Sequence, residues 1–470
     1  MGLKRKQITN RLFKKKIVPN NYSKLPGGPE YNKLIFNYDR SWTDDLPVCK
    51  VSGVGYLTRQ RYDELGQRRE ELESEDISLR CCYDDAGVVW LYGLFNGHNG
   101  AETARFARDR IAAEILLGQL PITEMDQTAK EIIQQSFLSV EGTYLETIDN
   151  KLLQRASLLL QLPEGISHYD AYQQYPQIIE KLKELEEELS CGTGASIAIL
   201  KNNRLYVANV GESRVLLCKT DKDDVLRVIQ PTVDHNLTNL DEVMRLTNLG
   251  LKIADGKING NRMIGNQSST RCLCNFMIKG AYKDFDELSA ASAEPVIAEP
   301  HIVGGISIDS SYRFMMIASP GLLKTLEEAT GTNQVNKELA LLVVEQLRVQ
   351  STLTGVAQAV VDHIARIYHD TYEAQDNAIG ATRPNIMLMI RNFNFAMPNA
   401  ITEQQHSWNG SYDQDTTINL TETTTSTSTD PSSGSIKAIL PYVDFSEFNS
   451  NVDKAKAQGK LPSNINFFYD

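Results

Sequence analysis

Val88–Gly100 reads VVWLYGLFNGHNG. Val88–Phe95 is an unbroken apolar and aromatic run of the length and composition of a buried strand. It stops at Asn96-Gly97, a turn signal. From about Ala101 the period changes: Ala104, Ala107, Ile111 and Ile115 share one helical face, while Glu102, Arg105, Arg108 and Asp109 take the other. Residues 128–162 and 174–190 are expected to form two more helices. Ala195–Leu200, Arg204–Val210 and Arg214–Cys218 follow as short strands, separated at hairpin spacing by Asn202-Asn203 and Gly211-Glu212-Ser213. Phe314–Ser319 and Asn385–Arg391 are expected as strands, with helices over 334–349 and 355–370. Strands that come both as hairpins and around long helices favour an α+β fold, with antiparallel sheets stacked and helices outside.

The flanks differ from this body. Residues 1–40 lack periodicity, carry Pro19, Pro26 and Pro29, and hold ten Lys/Arg against two acids, a net +8. They are expected to be a flexible basic arm. The whole chain is −12, so the other 430 residues carry −20. A body that acidic argues against a nucleic-acid enzyme, whose phosphate contacts need clustered cations. The packed domain is expected over 41–395, a Ser/Thr-rich linker over 396–440, and a separate segment over 441–470, where apolar residues return. No stretch of about 18 apolar residues occurs, which argues against a membrane-spanning helix, and no signal-peptide core follows the basic start. Met1-Gly2 opens like a myristoylation pattern, but Lys6 stands where that pattern needs Ser or Thr. Seven cysteines without a CxxC pair suggest reduced thiols in the cytosol or nucleus, with Cys81-Cys82, Cys272 and Cys274 as small buried hydrophobes.

Seven landmarks recur in fixed order: Phe95-Asn96-Gly97-His98-Asn99-Gly100, Gly192-Thr193-Gly194-Ala195, Leu205–Arg214 (LYVANVGESR), Val233-Asp234-His235-Asn236, Ala298-Glu299-Pro300, Phe314–Leu322 (FMMIASPGL) and Pro384-Asn385-Ile386-Met387. Together they resemble the metal-dependent Ser/Thr protein phosphatases of the PPM, or type 2C, family across roughly residues 50–392. The resemblance implies a central antiparallel β-sandwich flanked by helices, in αββα layers.

It also implies a site with two Mg²⁺ or Mn²⁺ ions held by carboxylates, and here the chain departs. The family pattern has Asp where Asn96, Pro320 and Pro384 stand, and Asp where Glu212 stands. The family's Gly-Asp pair appears as Cys274-Asn275. Hard dications need oxygen ligands, and carboxylates supply most of the charge balance. Proline supplies no side-chain oxygen, and asparagine brings no charge. The expectation is therefore no metal, no cofactor and no catalysis. Glu212 is left as a candidate lone metal ligand or a turn carboxylate. His98, which matches the family's general acid, is left as a retained structural residue. Arg59 and Arg61 are equal candidates for a remnant phosphate site.

The tail adds Tyr442, Val443, Phe445 and Phe448, with Asp444 and Glu447 between the aromatics. Aromatics at three-residue spacing after Pro441 suit a helix that docks in a groove, a remnant that folds back on the body, or a segment with no order at all. With Ser41–Pro47, Leu116–Leu120 and Leu162–Gly165, this segment resembles an inactive branch of the family, adaptors for a transforming-growth-factor-β-activated MAP kinase kinase kinase. What that branch implies is a cytoplasmic pseudophosphatase whose C-terminal helix binds the kinase catalytic domain, with Phe445 as the central anchor. It would promote kinase autophosphorylation in stress, innate immune and TGF-β-type signalling. A BIR domain of an inhibitor-of-apoptosis protein is a further implied partner. The segment that recruits a stress-activated MAP kinase finds no counterpart in 396–440. The alternatives are an atypical metal-dependent phosphatase and a phosphopeptide-binding module.

Overall fold

The computed structural model describes residues 35–36, 49–62, 68–84, 88–117, 125–223, 225–373 and 382–400. The arm up to residue 34, most of the linker and the whole segment with Tyr442, Val443, Phe445 and Phe448 lie outside the described residues. Among those described, the strands in chain order are β1 (Ile35–Phe36), β2 (Ser52–Leu57), β3 (Arg59–Tyr62), β4 (Arg68–Leu72), β5 (Asp76–Asp84), β6 (Val88–His98), β7 (Gly192–Lys201), β8 (Arg204–Val210), β9 (Arg214–Thr220), β10 (Leu226–Ile229), β11 (Ile253–Ala254), β12 (Lys257–Ile258), β13 (Leu273–Cys274), β14 (His301–Ser307), β15 (Tyr312–Ala318), β16 (Thr382–Arg383) and β17 (Ile386–Asn392). The helices are α1 (Glu102–Leu117), α2 (Asp126–Thr147), α3 (Asp149–Leu160), α4 (His168–Gln174), α5 (Pro176–Leu189), α6 (Leu240–Asn248), α7 (Pro320–Thr330), α8 (Val335–Val349) and α9 (Leu353–Glu373).

Two antiparallel sheets form the centre. One runs β1-β5-β6-β7-β8-β14, with β13 also paired to β7; the other runs β10-β9-β15-β17-β2. The period-2 alternation of each strand sends its side chains into two different cores. Val89, Leu91 and Phe95 of β6 pack outward against Ala104, Ala107, Ile111 and Ile115 of α1. Tyr92 and Leu94 point inward and meet Met315 and Ile317 of β15 and Met387 and Met389 of β17. The opposite face of the second sheet, with Phe314, Met316, Leu388 and Ile390, is covered by α7, α8 and α9 through Leu326, Leu339, Val343, Val356 and Val360. The apolar run in β6 is continuous because both of its faces are buried. The result is the expected αββα stack.

Close approach of backbone fixes one outer layer. A Cβ on Gly53 of β2 would lie 2.1 Å from the Leu353 carbonyl carbon, and one on Gly55 would lie 2.4 Å from that of Ala357. Helix α9 therefore rests on β2 backbone to backbone, which only glycine permits. A smaller lobe over 237–296 has its own core of Leu237, Leu246, Ile278, Tyr282 and Val296.

Four sequence expectations change. Residues 128–162 form two helices, because Ile148 leaves helical geometry (φ −100°, ψ 3°) and caps α2 through its N–H to the Tyr144 carbonyl. Asp149-Asn150 then suits the start of α3. The helix expected from 174 starts at Pro176, whose missing N–H costs nothing at a first helical position. Asn202-Asn203, with φ of 49° and 59°, does close a β7–β8 hairpin. Gly211-Glu212-Ser213, however, is not a hairpin: β8 and β9 belong to different sheets, so these residues cross from one to the other. Within the stretch expected to be an arm, Ile35 and Phe36 pair with Cys82 and Cys81 of β5. None of the seven cysteines is in a disulfide; Cys81, Cys272 and Cys274 are buried and Cys82 is half-buried.

Candidate functional site

A cleft of about 850 Å³ opens at one end of the sandwich, where β6 finishes and β17 begins. Its walls include Arg59, Asn96, His98, Glu212, Pro320, Pro384 and Asn385. Residues spread over more than 320 positions of sequence thus meet at one place. Arg59 faces the cleft, whereas Arg61 pairs with Glu70 (3.2 Å), directly opposite on β4, and is absent from the cleft wall. This separates the two arginines that sequence left equal.

Asp76 sits at the first position of β5, directly opposite Asn96. It is 2% exposed, and its Oδ1 accepts the Asn96 Nδ2–H at 2.6 Å. Burial raises its pKa to about 6, and the Asn96 amide and the nearby Ser319 hydroxyl offset only part of that. Sequence reading missed Asp76. Its only local signal was the Glu75-Asp76 pair opening an alternating stretch, twenty residues before Asn96. Its neighbour Glu75 accepts the Gly100 N–H with Oε1 at 3.0 Å, and its carbonyl accepts the Gly97 N–H at 3.0 Å. Glu75 thereby holds the Asn96–Gly100 turn.

His98 ends β6. Burial drives its imidazole down to about 4, so it is neutral at physiological pH, and its Nε2 has no partner among the described residues. A neutral imidazole with that pKa holds little acid to donate near pH 7. Glu212 is half-buried, accepts the Ser268 hydroxyl at 3.1 Å, and has its pKa raised by burial.

The crossover that carries Glu212 is fixed from below. His235 Nδ1 accepts the Gly211 N–H (3.2 Å), and the His235 N–H returns to the Gly211 carbonyl (3.1 Å). Arg214, just beyond, clamps Asp234 (2.6 Å) and donates to Asn336 of α8 at 2.8 Å. The LYVANVGESR and VDHN landmarks are thus halves of one brace. In the adjoining lobe Glu242, 1% exposed, accepts from Arg245 (2.8 Å), Arg271 and Thr270 (2.6 Å).

Pro320 has a structural use. Ser319 caps α7 by accepting the Leu322 N–H at 3.3 Å, and Pro320 takes the first helical position. The Ser319 hydroxyl also accepts the Met387 N–H at 3.0 Å, tying α7 to β17. A Cβ on Gly321 would lie 2.1 Å from the Asn385 carbonyl oxygen, so the segments after Pro320 and Pro384 touch through backbone. Asn275, at the last degenerate position, is fully buried and donates to Asn266 (3.1 Å) and Gln267 (3.2 Å).

The family resemblance implies a pair of dications here, and the donor set does not fit them. Pro320 and Pro384 offer no side-chain oxygen, and the Asn96 amide is neutral and engaged with Asp76. Among the described residues no three His, Cys, Asp or Glu side chains converge so as to hold an ion. The carboxylates that do line the cleft, Glu75, Glu212 and Glu328, are not gathered around one point as a pair of adjacent dications would need.

Residues 122–368 match the family model described as Protein phosphatase 2C. The TGF-beta-activated kinase 1 and MAP3K7-binding protein 1 of Caenorhabditis elegans is 27% identical over 426 residues, covering 89% of this chain and 97% of that protein. Probable protein phosphatase 2C 2 of Paramecium tetraurelia is 26% identical over 251 residues, 53% of this chain and 69% of that one. Among solved structures, a serine-threonine phosphatase 2C from Toxoplasma gondii aligns with a TM-score of 0.44 at 13% identity, over 74% of this chain and all of that one. No helix among the described residues is long and apolar enough to cross a membrane.

Proposed function

Since the chain belongs to the protein phosphatase 2C family, we propose that it is a non-catalytic member, an adaptor that binds the catalytic domain of a MAP kinase kinase kinase. The observation that carries the first half is the meeting of Asn96, Pro320 and Pro384 in one cleft. Each stands where the resemblance places a metal carboxylate, and His98 beside them is neutral. The second half draws on the worm relative, whose name states the kinase it binds and which is matched over nearly its full length. A domain that keeps its four-layer core after losing its chemistry persists as a binding module, because function belongs to sites and not to folds.

The contact is assigned to Tyr442, Val443, Phe445 and Phe448. In a helix they present an aromatic stripe, with Asp444 and Glu447 at its margin. Such a stripe supplies anchors of the kind that dominate interface energetics. Occupation of a kinase groove by this segment would favour the autophosphorylating arrangement through differential binding, in cytoplasmic stress, innate immune and TGF-β-type signalling.

The test is capture of the full chain by a purified MAP kinase kinase kinase catalytic domain. Phe445→Ala is expected to weaken capture at least about tenfold, the scale of a hot-spot truncation; undiminished capture would remove the tail from the reading. Turnover of a phosphopeptide with Mn²⁺ that disappears in His98→Ala would overturn the non-catalytic half.

A further inference from the structure

The end of the sandwich opposite the cleft, where β6 begins and β17 ends, carries a group of side chains that the proposed function leaves unused. Trp90 and Tyr92 of β6 stand directly opposite Cys82 and Arg80 of β5, so the four share the inward face of the first sheet. Cys81, between Arg80 and Cys82, faces the outer core instead. Arg391 of β17 reaches across from the second sheet. Its guanidinium carbon lies 5.5 Å from the Trp90 ring centroid and 5.9 Å from that of Tyr92, and its Nη1 donates to the Val51 carbonyl at 3.1 Å. Arg80 reaches the other way, donating from Nη1 to the Ser52 carbonyl at 3.0 Å. The two arginines thus draw the segment that leads into β2 against the inner face of β5.

Cys49 lies in that segment, ahead of the first β2 ladder pair, Ser52 with Arg391. Its Sγ is 3.4 Å from Ser52 Oγ, and that hydroxyl is 3.4 Å from Arg80 Nη1. Burial opposes ionisation of the thiol, but the Ser52 hydroxyl, backbone hydrogen bonds from Val51 and Ser52 and the Arg80 charge outweigh it, so its pKa is lowered. Burial instead pushes Cys81 up to about 12 and raises Cys191, Cys218, Cys272 and Cys274. Cys49 is half-buried and keeps contact with solvent. A thiolate so placed is the form of cysteine that oxidants attack.

Cys82 stands two residues beyond Arg80 on the same face, roughly 7 Å along the strand, and is half-buried as well. Tyr92 relates the two sulfurs. It is 0% exposed, and its hydroxyl has no partner among the described residues. Burial raises the pKa of that hydroxyl; the charges of Arg391 and Arg80 work against the rise, and those of Cys49 and Cys82 add to it. Both sulfurs and both arginines therefore surround one phenol whose donor is unanswered. An oxygen added to sulfur would answer it.

We propose that Cys49 is a site of oxidation by hydroperoxides and that Cys82 resolves it, closing a disulfide between the approach to β2 and strand β5. The Cys49 thiolate attacks one oxygen of hydrogen peroxide. The O–O bond breaks, the departing hydroxide takes up a proton to become water, and Cys49 is left as the sulfenic acid. The Cys82 sulfur then attacks the Cys49 sulfur. The S–O bond breaks, and the hydroxyl leaves as water with the proton that Cys82 gives up. The two sulfurs together lose two electrons, and the peroxide takes them. Closure needs the two Cβ atoms about 3.8 Å apart. Cys49 lies outside the ladder, so it approaches without breaking a β2 pair. The proposal does not rest on the adaptor reading.

The full chain is treated with a small excess of hydrogen peroxide and digested without reduction. Mass spectrometry is expected to find the Cys49 and Cys82 peptides joined, two hydrogens lighter than their sum and separated by a reductant. In Cys82→Ser a dimedone adduct is expected on Cys49, because its sulfenic acid is no longer resolved; in Cys49→Ser no adduct is expected on Cys82. Ser52→Ala is expected to slow alkylation of Cys49 by iodoacetamide at neutral pH several-fold. Alkylation of Cys191, equally half-buried but facing the Asn99 carbonyl at 2.9 Å, is expected to stay the same. Absence of the joined peptides from the unmodified chain overturns the proposal, and that readout needs no variant to fold. A disulfide between two copies of Cys49 in place of the internal bond, or oxidation of Cys191 as fast as that of Cys49, overturns it too.

Discussion

Asn96 donates its side-chain amide to the carboxylate of Asp76 at 2.6 Å, across directly opposed positions of β5 and β6. The pair sets a buried charge against a neutral dipole. An amide satisfies one lone pair of a buried carboxylate but does not neutralise it, which is why the acid remains costly to ionise.

Asp76→Asn is therefore expected to stabilise the protein above pH 6. The folded-state pKa of Asp76 is about 6 against 3.8 for the free group. Between those values the folded state binds more protons than the unfolded one, so this group's contribution falls as pH rises. Removing it is expected to gain about 2–3 kcal/mol at pH 8, two pKa units at ~1.4 kcal/mol each, and little at pH 4. Urea unfolding at the two pH values measures the difference; an equal effect at both would contradict it.

Two histidines, the half-buried His98 and the buried His235, act in the opposite direction. His98 has its pKa lowered by burial to about 4, and His235 to about 3, by burial and then by the Arg271 charge. As pH falls below about 6.5, the unfolded state takes up protons that the folded histidines refuse, and stability declines. Nuclear magnetic resonance titration should show both imidazoles neutral at pH 5.5. His235→Ala should also destabilise, because it removes the acceptor of the Gly211 N–H.

Gly321→Ala is expected to cost about 1–3 kcal/mol, the usual range for overpacking. The new Cβ would fall 2.1 Å from the Asn385 carbonyl oxygen, so α7 and β17 would have to separate. Thermal unfolding reads this, with Gly142→Ala as the control, since nothing lies within 4 Å of a Cβ there.

Glu242→Gln should destabilise by about 3–5 kcal/mol, because Arg245 and Arg271 would lose their shared buried counter-charge. Hydrogen exchange is expected to report the loss first in the 237–296 lobe, which packs around its own core.

Restoring carboxylates should restore metal affinity. Asn96→Asp, Pro320→Asp and Pro384→Asp together are expected to give a calorimetric Mn²⁺ titration that the parent chain lacks. Equal heats from both chains would show that the present donors already suffice.

Most of the architecture was legible because local signals agree with the global fold. β6 is apolar throughout because it is covered on both faces, and α1 shows one apolar face because it is covered on one. The side-chain chemistry at Asn96, Pro320 and Pro384 was equally legible, since the lack of a carboxylate oxygen is a property of a residue type. Other features were not. Nothing in Gly211-Glu212-Ser213 distinguishes a hairpin from a crossover, because both need a short polar turn and differ only in which sheet receives the next strand. Asp76 carries no local mark of its burial, because burial depends on what is stacked above a strand. Arg59 and Arg61 separate only when β4 supplies Glu70 opposite the second.

The sequence by itself determined the layers and the order of elements, because periodicity and side-chain chemistry are carried by each residue wherever it sits. Only the tertiary structure decided that Arg59, Asn96, His98, Glu212, Pro320, Pro384 and Asn385 share one cleft. Electrostatic balance and burial are sums over neighbours in space, and those neighbours here come from opposite ends of the domain.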